Sequence, residues 1–122
     1  MRQFKRSDRL SAQILRDISG LLVSELAMVA PGLVTFTRVK LSDDLRYARV
    51  YFSYLGKTED RDTVTLYLEK ERRRIRARIG ESLRMRHIPE FDFRFDPSIE
   101  EAIRIEQLLN EIKGEGRKDQ QN

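Results

Sequence analysis

Residues 33–54 read LVTFTRVKLSDDLRYARVYFSY and predict a β-hairpin around which the other elements can be placed. From Leu33 to Leu41 the chain is rich in β-branched residues, which favour strands. Ser42-Asp43-Asp44 predicts a turn, because short polar side chains bond their own backbone. From Leu45 to Tyr54 the residues alternate between two faces. One face carries Arg46, Ala48, Val50, Phe52 and Tyr54, and the other carries Tyr47, Arg49, Tyr51 and Ser53.

Helical periodicity is found on both sides of this hairpin. Apolar residues recur at helical spacing after Ser7, a candidate N-cap, and stop before Pro31-Gly32. A second helical region is predicted from about Arg61 to His87, because Pro89 stops it. A straight helix there would bury Arg72 on the apolar stripe at a cost of several kcal/mol, so we expect a break between residues 69 and 74.

The remaining elements complete a predicted α+β domain. Residues 91–95, FDFRF, alternate strictly and predict a third strand, and a short final helix is expected from about Pro97 to Lys113. The order α-β-β-α-α-β plus a short C-terminal helix is typical of a three-stranded sheet covered on one face by helices. We assign residues 1–113 to one domain. Residues 114–122 contain no apolar residue and predict a disordered polar tail.

Composition excludes several classes of function. The chain has 122 residues, no cysteine and one histidine, which rules out a disulfide scaffold, a thiol nucleophile and a multi-histidine metal site. No apolar run is long enough to span a membrane, and MRQFKRSDRL lacks the apolar stretch of a signal peptide, so we expect a cytoplasmic protein. His87, at the predicted end of a helix, is expected to cap carbonyls or contact a partner. Acidic pairs such as Asp43-Asp44 fall at turns or helix starts. We therefore predict no enzymatic activity, no metal and no cofactor.

Positive charge is concentrated in two segments. The net charge is +4, yet residues 70–86 hold eight basic and two acidic side chains, and residues 1–16 hold five basic and one acidic. Seven of the eight basic residues in 70–86 are arginines, whose planar guanidinium matches phosphate geometry. A solvated helix face would also explain such a run, but the arginine content favours RNA binding. The candidate RNA-binding residues are Arg72, Arg73, Arg74, Arg76, Arg78, Arg84, Arg86, Arg2, Lys5, Arg6 and Arg9.

Two further features have alternative interpretations. Tyr47 and Tyr51 could stack on bases, although packing against a helix or a partner is the commoner role. Ala77 and Gly80 lie between arginines on the helical wheel. They could leave room for a sugar–phosphate backbone, or they could belong to an ordinary exposed face.

Two blocks of the chain resemble a known family. The hairpin from Val39 to Tyr51 is similar to the pattern V-x-x-S-x-D-L-x-x-A-x-V-Y of the ribosome-binding factor A family of bacterial small-subunit assembly factors. A second block from Arg84 to Ser98 is similar to that family's R-x-R-x-x-P-E-x-x-F-x-x-D-x-S. The resemblance extends over about residues 4–113, with the blocks in the right order and spacing.

The resemblance implies a K-homology fold of the second type. It also implies binding to the small (30S) ribosomal subunit and its 16S rRNA late in maturation, a role in 5′-end processing of precursor 16S rRNA, and support of growth in the cold. Release by an assembly GTPase is a family trait, and we expect a monomer that binds no small-molecule substrate. In one respect the chain departs from the family, which has a small-x-small turn at a helix kink where this chain has Glu71-Arg72-Arg73.

Two other functions compete with this interpretation. The chain could be a protein-interaction module that binds another factor rather than RNA, and steep salt dependence would argue against that alternative. It could also be a nuclease that uses acidic pairs with magnesium, in which case purified protein would cleave precursor RNA.

Overall fold

The computed structural model describes the backbone of residues 2–121 and the side chains of residues 6–114. Seven elements follow in the order α1 (Arg2–Ala27), β1 (Leu33–Leu41), β2 (Tyr47–Leu55), α2 (Thr58–Lys70), α3 (Arg72–Ser82), β3 (Glu90–Phe95) and α4 (Ser98–Gln121). The strands form one sheet in the order β1-β2-β3. This architecture confirms the predicted α+β fold. No helix within the described residues is both long and apolar enough to cross a membrane.

The sheet is mixed, with β2 at its centre. β1 pairs with β2 in antiparallel register, as in Val39 opposite Val50, and β2 pairs with β3 in parallel, as in Val50 opposite Phe93. A β-bulge between Phe36 and Arg38 inserts one extra residue into β1. The bulge keeps the alternation of both halves of β1 in phase with β2.

One face of the sheet forms the core together with α1, α2 and α3. Ile14, Ile18, Leu22 and Leu26 recur every four residues on α1, so a single stripe of that helix is fully buried. The helices α2 and α3 contribute Val64, Leu68, Ile75 and Ile79. The sheet contributes Val34, Phe36, Ala48, Val50, Phe52, Tyr54, Phe91 and Phe93.

The predicted break in the second helical region is confirmed. α2 ends at Lys70 and α3 begins at Arg72, with Glu71 between them at φ −92° and ψ 5°. Past this interruption Arg72 lies exposed, off the buried stripe, while Ile75 is fully buried. The bend therefore avoids the cost of burying a guanidinium.

The helix boundaries differ from the predicted ones at several ends. α1 already begins at Arg2, so Ser7 lies inside the helix and is not its N-cap. α3 ends at Ser82 rather than near His87, because Leu83 turns to an extended conformation and is buried in the core. Residues 83–89 then form an irregular connection to β3, with a bend at Arg86 and His87, which we call the β3 approach.

The final helix is long rather than short. α4 runs for 24 residues from Ser98 to Gln121, beyond the predicted end near Lys113. Asp96 begins it, because its Oδ1 accepts the Ser98 N–H at 3.0 Å, and hydrogen bonds from Ser98 lower the pKa of this buried carboxyl despite its burial. The side chains of residues 115–122 lie outside the described residues, so the disorder of the tail stays a prediction.

Two glycines make a matched pair for testing the packing. Gly32 donates its N–H to Tyr54 Oη at 2.7 Å, and a Cβ at Gly32 would collide with the Tyr54 ring and the Leu55 carbonyl. We expect Gly32→Ala to lower the free energy of unfolding by about 1–3 kcal/mol. Gly20 lies inside α1 with open space around it, so Gly20→Ala should raise that free energy by up to about 1 kcal/mol. Urea denaturation measures the free energy of unfolding of both variants. An equal change in the two variants would contradict the packing described.

Candidate nucleic-acid interface

The edge of the sheet where β2 and β3 begin carries an open groove of about 780 Å³. Because the two strands are parallel, the segments that precede them meet there, and the Glu90 N–H donates to the Arg46 carbonyl at 2.8 Å. The hairpin turn, α3 and the β3 approach form the walls. The lining residues are Asp44, Leu45, Arg46, Tyr47, Arg76, Met85, Arg86, His87, Ile88 and Glu90.

A second concavity adjoins the first along α3. It shares Arg76 and Arg86 with the first and adds Arg73 at its far end. We call the two together the basic groove; four guanidiniums and three carboxylates line it: Arg46, Arg73, Arg76, Arg86, Asp44, Glu81 and Glu90. Outside the groove, Arg72 and Arg84 are exposed on α3 and the β3 approach. Arg78 is exposed where α3 faces α1, and it lies 3.9 Å from Glu81.

Arg76 holds the two walls of the groove together. Its Nη2 and Nε donate to the Ile88 carbonyl at 2.7 and 3.2 Å, so the guanidinium ties α3 to the β3 approach. Gly80 supports the same contact, because a Cβ there would lie 3.0 Å from Ile88 Cγ1. The small size of Gly80 thus makes room for Ile88 rather than for an RNA backbone, whereas Ala77 remains exposed on the groove wall.

Arg74 points away from the groove and into an intramolecular cluster. Its guanidinium binds the carboxylates of Glu25 on α1 and Glu71 at the helix break, and Tyr67 Oη donates to Glu25 Oε2 at 2.7 Å. Hydrogen bonds to Glu25 and Glu71 raise the pKa of Arg74. Burial opposes ionisation of Glu25, but hydrogen bonds from Arg74 and Tyr67 outweigh it and lower the Glu25 pKa. Arg74 is thus already engaged within the fold.

Among the predicted residues near the N-terminus, Arg6 and Arg9 do not line the groove. α1 runs antiparallel to α3, since Glu25 meets Arg74 at the start of α3 and Ser82 Oγ donates to Asp17 at 3.0 Å at its end. Arg9 is eight residues before Asp17, about 12 Å further along the helix axis. Arg6 and Arg9 are exposed there, and the side chains of Arg2 and Lys5 lie outside the described residues.

His87 belongs to the groove rather than to a helix end. It is exposed on the β3 approach beside Arg86, and α3 ends five residues earlier, so it does not cap that helix. Among the described residues, no group of three or more acidic or histidine side chains is arranged to hold a metal ion.

The hairpin turn is part of the groove, and the sequence analysis considered only its Tyr47 as a possible RNA contact. Asp44 Oδ1 accepts from Ser42 Oγ at 2.7 Å and from the Arg46 N–H at 3.1 Å, and these bonds lower the Asp44 pKa. Between them Leu45 is held at φ 59°, a left-handed conformation that branched side chains rarely adopt. The turn presents Leu45, Arg46 and Tyr47 to the groove.

The chain is similar to proteins of one family along most of its length. The family model for ribosome-binding factor A matches residues 6–109. Ribosome-binding factor A of Thermodesulfovibrio yellowstonii is 40% identical over 113 residues, which are 93% of this chain and 95% of that protein. The protein of the same name from Geobacter metallireducens is 41% identical over 112 residues, 92% of this chain and 95% of that one. The crystal structure of ribosome-binding factor A from Thermus thermophilus superposes with a TM-score of 0.62 at 25% identity, covering 71% of this chain and 92% of that one.

Adjacent arginines of α3 should respond differently to substitution. Arg73 lines the groove, so Arg73→Ala should weaken binding of unstructured RNA severalfold and lower the magnitude of the log-affinity versus log-salt slope by about 0.7. Arg74→Ala should instead cost roughly 1 kcal/mol of folding free energy and leave that slope unchanged. Fluorescence anisotropy titrations at several salt concentrations, with thermal denaturation, measure both. An unchanged slope in Arg73→Ala would remove that residue from the site.

The Glu25 cluster should make stability depend on acidic pH. The folded-state pKa of Glu25 lies below its unfolded value of about 4.3, so the stabilisation is fully present above that pH and is lost as the pH falls through the folded pKa. We expect Glu25→Gln to lower the free energy of unfolding by about 0.5–1 kcal/mol at pH 7. The difference from the unsubstituted protein should vanish once Glu25 is protonated, which urea denaturation across pH tests. A constant difference down to the lowest pH would contradict the ion pair.

Proposed function

The chain belongs to the ribosome-binding factor A family, and we propose that it is a non-catalytic assembly factor that binds the small ribosomal subunit through 16S rRNA. The observation that carries this proposal is the basic groove, where Arg46, Arg73 and Arg86 surround an open concavity. Guanidinium groups of this kind donate paired hydrogen bonds to phosphate oxygens.

The shape of the groove favours RNA over a small molecule. It is open along its length, and its walls come from two well-packed elements and a hairpin turn held by internal hydrogen bonds. A rigid and open basic surface suits a polyanion that extends beyond the protein, whereas small ligands are usually enclosed in deep apolar pockets. Tyr47 adds an exposed aromatic ring on which a base can stack.

We further propose that binding holds the RNA in the arrangement from which the 5′ end of precursor 16S rRNA is processed. The protein contributes binding free energy and no reacting group. Misfolded RNA helices escape more slowly as the temperature falls, so a protein that stabilises the correct arrangement matters most in the cold. In this proposal the protein acts in the cytoplasm as a monomer, and an assembly GTPase releases it from the subunit.

A protein-interaction role is the second candidate, and α4 favours it. No side chain of α4 belongs to the described core. Five of its apolar side chains are exposed, namely Ile103, Ile105, Leu108, Leu109 and Ile112. Four of them lie on one face of the helix, namely Ile105, Leu108, Leu109 and Ile112. An exposed stripe of this kind suits an apolar partner surface, whose binding would depend only weakly on salt. Salt dependence therefore separates the two candidates.

Charge reversal on the β3 approach tests the RNA role. Arg84→Glu with Arg86→Glu should reduce co-sedimentation with small subunits and lower the magnitude of the salt slope by about 0.7–0.9 for each phosphate contact removed. Arg104→Glu with Lys113→Glu makes the same change in net charge on α4 and is the matched control. Equal binding by both double variants, with unchanged slopes, would exclude the phosphate role.

The maturation role is tested in cells. A bacterium that lacks this protein should accumulate small subunits that carry 5′-extended precursor RNA, most severely at low temperature. Primer extension across the 5′ end measures the precursor, and complementation with the Arg84, Arg86 double variant shows whether the groove is needed. Mature 5′ ends and normal subunit profiles in the cold would leave only generic RNA binding.

A further inference from the structure

The face of the sheet opposite to α1, α2 and α3 carries two rows of charged and aromatic side chains, and we call it the open face. In the first row Arg38 is opposite Tyr51, which is opposite Arg94. In the second row Lys40 is opposite Arg49, which is opposite Asp92. Partners in register share a face, and Val39 and Val50 between the rows point to the core side.

The arginines of the open face keep exposed side chains, although each lies within 4 Å of a carboxylate. The side chains of Arg38, Arg49 and Arg94 are 63%, 50% and 59% exposed. Asp92 is the one exposed carboxylate in the two rows, and it contacts both Arg49 at 3.5 Å and Arg94 at 2.9 Å. Buried Asp96 lies 3.9 Å from Arg38 but accepts from Thr37 and Ser98. Four cations thus share one exposed anion on this face.

One pair in these rows works against folding stability. Lys40 lies directly opposite Arg49, and like charges opposite each other across two strands destabilise a sheet. Arg38 stacks over the Tyr51 ring at 4.0 Å from its centroid, which holds the guanidinium flat on the open face. Neither arrangement contributes to the core. A bound polyanion would relieve the repulsion between the cations.

The open face is continuous with the basic groove through Tyr47. This ring is 57% exposed and lines the groove on one side. On the other side it lines a shallow pocket of about 280 Å³ with Lys40, Leu41, Ser42, Arg49 and Asp92. A strand that leaves the groove at Tyr47 therefore meets Lys40 and Arg49 next.

We propose that the open face is a second RNA-contact surface, which takes a single-stranded segment that continues from the basic groove across Tyr47. In this path Tyr47 stacks on one base, Lys40 and Arg49 bind the phosphate that follows, and Arg38 and Arg94 bind the strand on either side of Tyr51. The segment is single-stranded because stacking on a protein ring requires a base freed from its own helix. The inference rests on the proposed RNA-binding function and extends it to the opposite face of the sheet.

RNA length and charge reversal together test this path. The probes are oligouridylates of about 4 and about 12 nucleotides, short enough to fill one surface or long enough to reach both. Lys40→Glu should weaken binding of the longer probe about tenfold and leave the shorter one within about twofold. It should not lower the melting temperature, because it replaces a like-charge pair with an opposite pair. Lys57→Glu makes the same charge change beyond the far end of β2 and should affect neither probe.

Substitution of Tyr47 tests the crossing point. Tyr47→Ala should weaken binding of the longer probe about tenfold. Tyr47→Phe should bind it as the unsubstituted protein does, because stacking needs the ring and not the hydroxyl. Suppose that Arg73→Glu abolishes binding of both RNA probes, while Lys40→Glu binds the longer probe as tightly as the control Lys57→Glu does. The open face is then not an RNA surface, and the proposed function stands. If the unsubstituted protein binds neither probe, both fail. If polyglutamate competes as well as RNA of equal charge, the open face binds acidic polymers in general and the RNA assignment is overturned.

Discussion

The parallel pairing of β2 with β3 is the constraint on which the other features depend. Parallel strands need a long crossover, and here α2 and α3 supply it. Both strands begin at the same edge of the sheet, so the hairpin turn before β2 and the β3 approach lie side by side. The hydrogen bond from the Glu90 N–H to the Arg46 carbonyl joins them. The groove is therefore a consequence of strand direction. The arginines lining it come from segments that are far apart in the chain.

Local patterns predicted most of the elements because each has a strong period. β1 was predicted at its observed bounds. The break at Glu71 was predicted from Arg72 alone, because a straight helix would bury that charge on the apolar stripe. The end of α3 was wrong because residues 83–88 are compatible with a helix, and only burial of Leu83 and packing of Ile88 on Gly80 draw them into an extended path. No local signal carries that information, since it depends on where β3 lies.

The arginines of the candidate site were predicted as one group, and the structure gives them different contacts. Glu71 lies three residues before Arg74, so their ion pair was detectable from spacing. The partner Glu25 is 49 residues away and the Ile88 carbonyl is 12 residues from Arg76, so neither contact was detectable. The contribution of Leu45, Arg46 and Tyr47 also depends on the meeting of two segments at the sheet edge. Sequence therefore identified the charge, while tertiary structure determines which charges are available.

Arg74 and Arg76, which are bonded within the fold, fix the orientation of α3. Arg74 ties the start of α3 to α1, and Arg76 ties its middle to the β3 approach, so the helix is fixed in rotation about its axis. With a period of about 3.6 residues, fixing these two also fixes the direction of Arg73 into the groove. Leu45, held at positive φ by its neighbours' bonds to Asp44, fixes the opposite wall. Two guanidiniums and one residue at positive φ thus hold both walls of the groove in place.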